Sequence, residues 1–196
     1  VLIPKFQIQN LGFDCMNRLY RILSGILLLF FTGRDFCLYA QTDSGYVKII
    51  ITNVGKTINT AFPEYAPVIS ADGQMMVFTS RRPVTEKEIK KNKKSMENVY
   101  LSYYDEKKKK WNEAARLSDS INQPRRHNSA IALSNDGQRM LLYRDDISGN
   151  GDIWESQLKG KEWTEPVKLP EPINSDVHES SASISPDGKT IYFCSN

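Results

Sequence analysis

The chain has 196 residues, 40% hydrophobic and 25% charged, which is enough for one ordinary domain with a real core and argues against disorder throughout. Its net charge of +3 gives no sign of the basic stripe that nucleic-acid binding calls for. The three cysteines, Cys15, Cys37 and Cys194, fit no zinc or redox spacing, and neither a metal nor another cofactor is expected.

In chain order, the first feature is an apolar run over residues 22–31, preceded by Arg18 and Arg21 and closed by Arg34-Asp35. Basic residues, a short apolar stretch and then Leu38-Tyr39-Ala40 before Gln41 are the layout of a secretory signal. The run is shorter than the roughly 20 residues of a membrane span. The reading is a helical signal segment over residues 16–40, starting at Met16 and cut between Ala40 and Gln41. Residues 1–15 are then an upstream extension outside the fold. Residues 41–57 form a lead-in, in which residues 46–52 are β-branched, apolar and free of proline, the pattern of a strand.

Residues 58–196 carry a repeat. Segments 65–80, 129–144 and 180–195 align without gaps about Asp72-Gly73, Asp136-Gly137 and Asp187-Gly188. Each reads as strand, turn, strand, because glycine accepts the positive φ of a hairpin turn. Ile69, Leu133 and Ile184 precede the turns and Met76, Met140 and Ile191 follow them; these are the expected core positions. Residues 98–103 match 151–156 as a third strand, and 111–117 match 163–169 as a fourth, with Pro166 suiting an outer edge. Ile58-Asn59, Ile121-Asn122 and Ile173-Asn174 introduce successive units, and an insertion over residues 86–97 lengthens the first. Four short strands per unit predict an all-β fold, a partial β-propeller of four-stranded blades with about three blades present. Counting back from Ile58-Asn59 makes residues 46–52 a ring-closing outer strand whose partners lie past Asn196.

The stretch Ser-Pro-Asp-Gly-Lys-Thr-Ile-Tyr-Phe at 185–193 resembles the repeat of TolB-like, WD-like-repeat propellers. Residues 65–73 with Phe78-Thr79-Ser80-Arg81-Arg82, Gly151-Asp152-Ile153-Trp154, and residues 178–188 are similar to the propeller region of OmpA-family envelope proteins of Bacteroidetes. The resemblance covers about residues 53–196. It implies a periplasmic or outer-membrane-associated protein. Such proteins often carry a C-terminal peptidoglycan-binding domain, and some are accessory parts of type IX secretion.

Candidate sites are few. His127 and His178 each stand ten residues before their glycine, ahead of the innermost strand, where the first unit has Pro63. With Glu64 and Glu179 beside these positions, they are candidate binding groups on the rim of a central channel. A zinc site needs three or four convergent ligands, which two histidines do not supply. Residues 146–152 resemble half of a calcium loop, but Gln157 stands where a bidentate Glu is wanted, and the same residues suit a plain turn. The lysines within residues 87–94 and 107–110 are interleaved with or flanked by acids and read as solvated loops. There is no Gly-x-Ser-x-Gly elbow, and Asp and Gly are adjacent in the repeat, unlike the sialidase turn. The expectation is a non-catalytic exported scaffold or binding module that presents a propeller face to a protein or cell-wall partner. Neither a nucleic acid nor a small-molecule substrate is expected. The alternative is the regulatory propeller of an exported serine peptidase whose catalytic domain lies beyond these residues.

Overall fold

The computed structural model describes residues 4–8 and 49–196. The chain divides into two compact units, Lys5–Thr52 and Asn53–Asn196 with Val1–Pro4. Strand β1 (Pro4–Ile8) pairs with β2 (Ile49–Asn53), whose side chains are exposed. The strand read over residues 46–52 is thus present as β2. Its partner in this structure is β1, which falls within residues 1–15. The signal segment over 16–40 and its cut site lie outside the described residues.

The larger unit is a partial β-propeller. Its first blade runs β3 (Glu64–Ile69), β4 (Met75–Ser80), β5 (Asn98–Asp105), with β6 (Lys110–Trp111) and β7 (Ala115–Arg116) both on the outer edge of β5. The five-residue helix α1 (Glu86–Lys90) lies in the insertion before β5. The second blade repeats the order with β8 (Asn128–Leu133), β9 (Arg139–Asp145), β10 (Gly151–Lys159), β11 (Glu162–Trp163) and β12 (Val167–Lys168). A third unit contributes the hairpin β13 (Glu179–Ile184) and β14 (Ile191–Ser195).

The three hairpin turns are built alike. Gly73, Gly137 and Gly188 take φ of 74°, 68° and 71°. Ahead of each, a serine hydroxyl (Ser70, Ser134, Ser185) donates to the Asp carboxylate and accepts the N–H five residues on. The same carboxylate accepts the N–H two residues after it. Ser-x-Asp-Gly is therefore a closed set of donors and acceptors, and it fixes the register of the strands on either side.

The fourth strand is broken in two in both blades, not continuous over 111–117 and 163–169. In the gap, Ser102 Oγ donates to the Asn112 carbonyl (2.7 Å) and Ser156 Oγ to that of Thr164 (2.6 Å). These bonds also correct the third-strand alignment by one residue. Ser102 matches Ser156 and Val99 matches Ile153, so residue 97, not 98, corresponds to Gly151. A slip of one residue exchanges the two faces of a strand.

Blade faces are buried against their neighbours. Met75, Val77 and Val99 of the first blade pack on Ile121, Ala130, Met140, Leu142 and Trp163 of the second. Ala132, Leu141 and Ile153 on its other side meet Ala182, Ile184 and Ile191 of the third hairpin. Leu133 and Ile184 sit, partly buried, in these layers, as their place in the repeat implies. Ile69 does not: it is 46% exposed. Its side of the first blade is filled by Ile58, Met76, Phe78, Tyr100 and Trp111 from the same blade, and among the described residues no neighbouring sheet belongs to that cluster.

Consecutive blades are also clasped by asparagine. Asn122 Oδ1 accepts from Val99 N (2.6 Å) while its Nδ2 donates to Val99 O (3.0 Å) and Leu117 O (2.9 Å). Asn174 does the same with Ile153 N (2.8 Å), Ile153 O (2.8 Å) and Leu169 O (2.6 Å). Each amide stands in for one residue of a strand ladder on the third strand of the preceding blade.

Candidate binding cleft at the inner strands

The innermost strands β3, β8 and β13 each carry a register shift, at Tyr65/Val68, Ala130/Ala132 and Glu179/Ser181. A bulge bends its strand and leaves ladder groups unpaired. These strands bound an open cleft of about 340 Å³, lined by small side chains such as Ala66, Ser129 and Ser180 and by Glu97, Tyr143 and His178.

Both histidines sit at this end of the blades, in the same relation to the preceding one. Glu97 N donates to His127 Nδ1 (3.4 Å), and Gly151 N donates to His178 Nδ1 (3.1 Å). The carbonyls of Pro63, His127 and His178 accept from Arg81, Asp145 and Asn196 N, so the equivalence read from the sequence holds in space. Of the two imidazoles, His178 lines the cleft; His127 stands behind Glu97, whose Oε2 is 3.3 Å from its Nδ1. Tyr65 donates its hydroxyl to Glu97 Oε1. Burial, and then that bond, holds this hydroxyl well above the usual phenol range, so it stays a donor.

Glu64 and Glu179 are not rim groups in this structure. Both are fully buried. Glu64 accepts from Thr60 N (3.0 Å), Thr60 Oγ1 (2.6 Å), Ser80 Oγ (3.1 Å) and Arg82 (3.3 Å). Glu179 accepts from Ser175 N (3.3 Å), Ser175 Oγ (2.7 Å) and Ser195 Oγ (2.8 Å). Buried carboxylates survive only when bonded in this way, and these two are spent on holding the first strand of a blade to its lead-in.

Sequence reasoning missed Tyr143 and Gly151. Tyr143 lies edge-on to His178, with ring centroids 5.5 Å apart. A Cβ on Gly151 would stand 2.0 Å from the Tyr143 ring, so only glycine admits the ring there. Burial, and then the Asp145 carboxylate, raise the Tyr143 hydroxyl above its ordinary value. The available signal was the pair itself: the first blade has Thr79 and Glu97 at these places, and the second has Tyr143 and Gly151.

The calcium-like loop is occupied by its own donors. Asp146 Oδ1 accepts from Ser148 N (2.8 Å), Ser148 Oγ (2.6 Å) and Asn150 N (3.0 Å). Among the described residues no group of three or more His, Cys, Asp or Glu side chains converges as a metal site. The first lysine run falls on and after α1, which Thr85 and Glu88 cap reciprocally. In the second, Asp105 Oδ1 accepts from Lys107 N and Lys108 N, closing the turn between β5 and β6.

Fold and site together define a β-propeller-type repeat protein, on its own strand pairing and blade-to-blade contacts. No family model matches the chain, and no curated protein matches it. Among solved structures it is similar to the crystal structure of TolB from Acinetobacter baumannii, at 18% identity and a TM-score of 0.43. That match covers 76% of this chain and 31% of the TolB chain, so the chain spans about a third of that protein's length.

Proposed function

We propose that this chain is a non-catalytic, exported binding or scaffold module of the cell envelope, and that the inner-strand cleft is the surface it presents to a protein or cell-wall partner. The observation that carries this is a division of labour among polar residues. Those that recur between units (the Ser-x-Asp-Gly turns, Asn122 and Asn174, Glu64 and Glu179) are spent on internal bonds. Those that differ between units (Glu97 where the second has Gly151, Tyr143 where the first has Thr79) line the cleft, where His178 joins them and Tyr65 bonds Glu97. A rigid repeat holding variable groups at one surface is the design of a recognition platform. Both imidazoles spend Nδ1 on a backbone N–H, which fits positioning better than general-base catalysis.

The test is a photo-crosslinking residue at Ser180, in the cleft, compared with one at Lys108, in the β5–β6 turn, each in living cells. Co-sedimentation of the purified chain with peptidoglycan runs alongside. The expected result is a discrete adduct, or peptidoglycan binding lost on changing Ser180 to a bulky residue, with Lys108 silent. Equal labelling from both positions would overturn the assignment of the cleft. A product that stays in the cytoplasm would overturn the envelope reading, and one that keeps residues 27–31 after export would overturn the cut between Ala40 and Gln41.

A further inference from the structure

His127 and His178 occupy the same place in successive units, yet their surroundings give them opposite answers to a proton. As an acceptor at Nδ1, each imidazole is neutral, with its proton on Nε2. Protonation turns Nδ1 into a donor. At His127 a new acceptor is already in place, because Glu97 Oε2 lies 3.3 Å from Nδ1. The imidazolium gives up the long bond from Glu97 N and gains a charge-assisted one to the same residue. At His178 the partner of Nδ1 is the Gly151 N–H (3.1 Å), and glycine has no side chain to replace it. Two donors then face each other.

The remaining groups around each ring reinforce the contrast. His127 faces Glu97 from just before β5, Asp145 from β9, whose Oδ1 accepts the His127 backbone N–H at 2.6 Å, and Tyr65 from β3 through Glu97. Arg125 and Arg126 precede it on its own segment. His178 faces Gly151 from β10 and the edge of Tyr143 from β9. On its own segment, Asp176 offers its carbonyl to Asn150 Nδ2, and Glu179 is buried and bonded to Ser175 and Ser195. The charges of Asp145, Glu97, Asp146 and Asp152 are felt at Tyr143, and Glu97 lines the same cleft as His178.

We infer that the cleft has an acid-sensitive wall and an acid-resistant one: protonation of His178 frees the Gly151 end of β10 beside Tyr143, while the Asn174 clasp holds the rest of that strand, and protonation of His127 keeps the equivalent end of the first blade joined to the second. Histidine is the side-chain type that changes charge between about pH 5 and pH 8. The consequence for binding rests on the cleft being the working surface; the proton chemistry does not.

Amide hydrogen exchange of the isotope-labelled full-length chain, followed by NMR from pH 7.5 to pH 5 and corrected for the intrinsic pH dependence of exchange, tests this directly. The Gly151 amide should lose protection by roughly three- to tenfold, the worth of one ordinary hydrogen bond. The Glu97 amide should report its exchange of partners through its shift, and the Val99 and Asn122 amides across that junction should hold their protection. His178→Asn places an amide oxygen where Nδ1 stood and cannot titrate; it should abolish the pH response at Gly151. Equal loosening at both junctions, no change at Gly151, or a change that persists in His178→Asn would overturn the inference. The wild-type titration decides the first two even if the variant folds poorly. A partner that crosslinks at Ser180 with no pH dependence would leave the binding site standing and remove only its regulation.

Discussion

The first and second blades solve one problem with different residues. In both, a guanidinium caps the carbonyl of the lead-in isoleucine and lies over the aromatic ring of the third strand. In the first blade it is Arg82, bonded to Ile58 O (2.9 Å) and Glu64, 4.4 Å over Tyr100. In the second it is Arg144, bonded to Ile121 O (2.9 Å) and Asn128, 4.8 Å over Trp154. Arg144 corresponds to Ser80, not to Arg82, so the group arrives at one place from two positions in the repeat. The acceptor has changed with it: Glu64 in the first blade and Asn128 in the second, while the equivalent Glu179 of the third unit accepts from Ser175 and Ser195. A blade conserves an arrangement of charge and hydrogen bonds, and the residues that provide it move.

The largest test of that comparison is Glu64→Ala. It strips the acceptor from Thr60, Ser80 and Arg82, and removing one partner of a buried pair costs about 3–5 kcal/mol. Urea unfolding measures the loss. Rebuilding the second-blade pattern in the first, as Glu64→Asn with Ser80→Arg and Arg82→Ser, should recover at least half of it. Failure to recover any would show that the two latches are not interchangeable.

Gly151→Ala is the next largest, at about 1–3 kcal/mol, the cost of overpacking against the Tyr143 ring. Tyr143→Thr, which installs the first-blade partner, should restore most of the stability, and a double-mutant cycle gives the coupling. Additive effects would break the pairing of large ring with glycine. Leu133→Ala should cost about 1–2 kcal/mol, below the 2–5 of a fully buried leucine because its site is only partly buried. Ile69→Ala, the same position with 46% exposure, should stay within about 0.5 kcal/mol. Equal losses would mean that the uncovered face is covered in solution.

The smallest effect is electrostatic, and here the three units behave alike. The serine hydroxyl, and then the following N–H, hold the carboxyls of Asp72, Asp136 and Asp187 below the ordinary range. A carboxyl with a lower pKa when folded binds fewer protons than its unfolded form. Its contribution is therefore complete above about pH 4 and is lost as pH falls through the folded value. The urea midpoint of the wild type should drop between pH 5 and pH 3. Changing all three to Asn should flatten that dependence, and an unchanged slope would sink the turn argument.

How much of this could be read in advance follows from the same contrast. The turns were legible because Ser-x-Asp-Gly keeps all its partners within six residues. The Ile-Asn pairs were legible as markers, though not as clasps, because their partners lie 21 to 23 residues away on the preceding blade. The third strand was misaligned by one because the insertion lengthens the loop ahead of it and its alternation looks acceptable in either register; Ser102 and Ser156 decide. Glu64 and Glu179 read as rim groups because they stand next to Pro63 and His178 in the chain. The signal to the contrary was a set that recurs together, Thr60-Glu64-Ser80 and Ser175-Glu179-Ser195, each hydroxyl at a fixed offset from its acid. The arginine latch was illegible, since no alignment by position brings Arg82 and Arg144 together.

The asparagine clasps bear on how such an array can change its number of units. Asn122 and Asn174 belong to one copy in the gene but fasten the copy before it, so each repeat carries the fitting for its predecessor. Excision of one copy between equivalent points brings the next Asn against an equivalent third strand, and the joint re-forms without a new residue being invented. Excision out of phase strands one amide and leaves one strand unfastened. Gain or loss of a whole period keeps every clasp, and a loop inside a period, such as the one holding α1, can lengthen without breaking one.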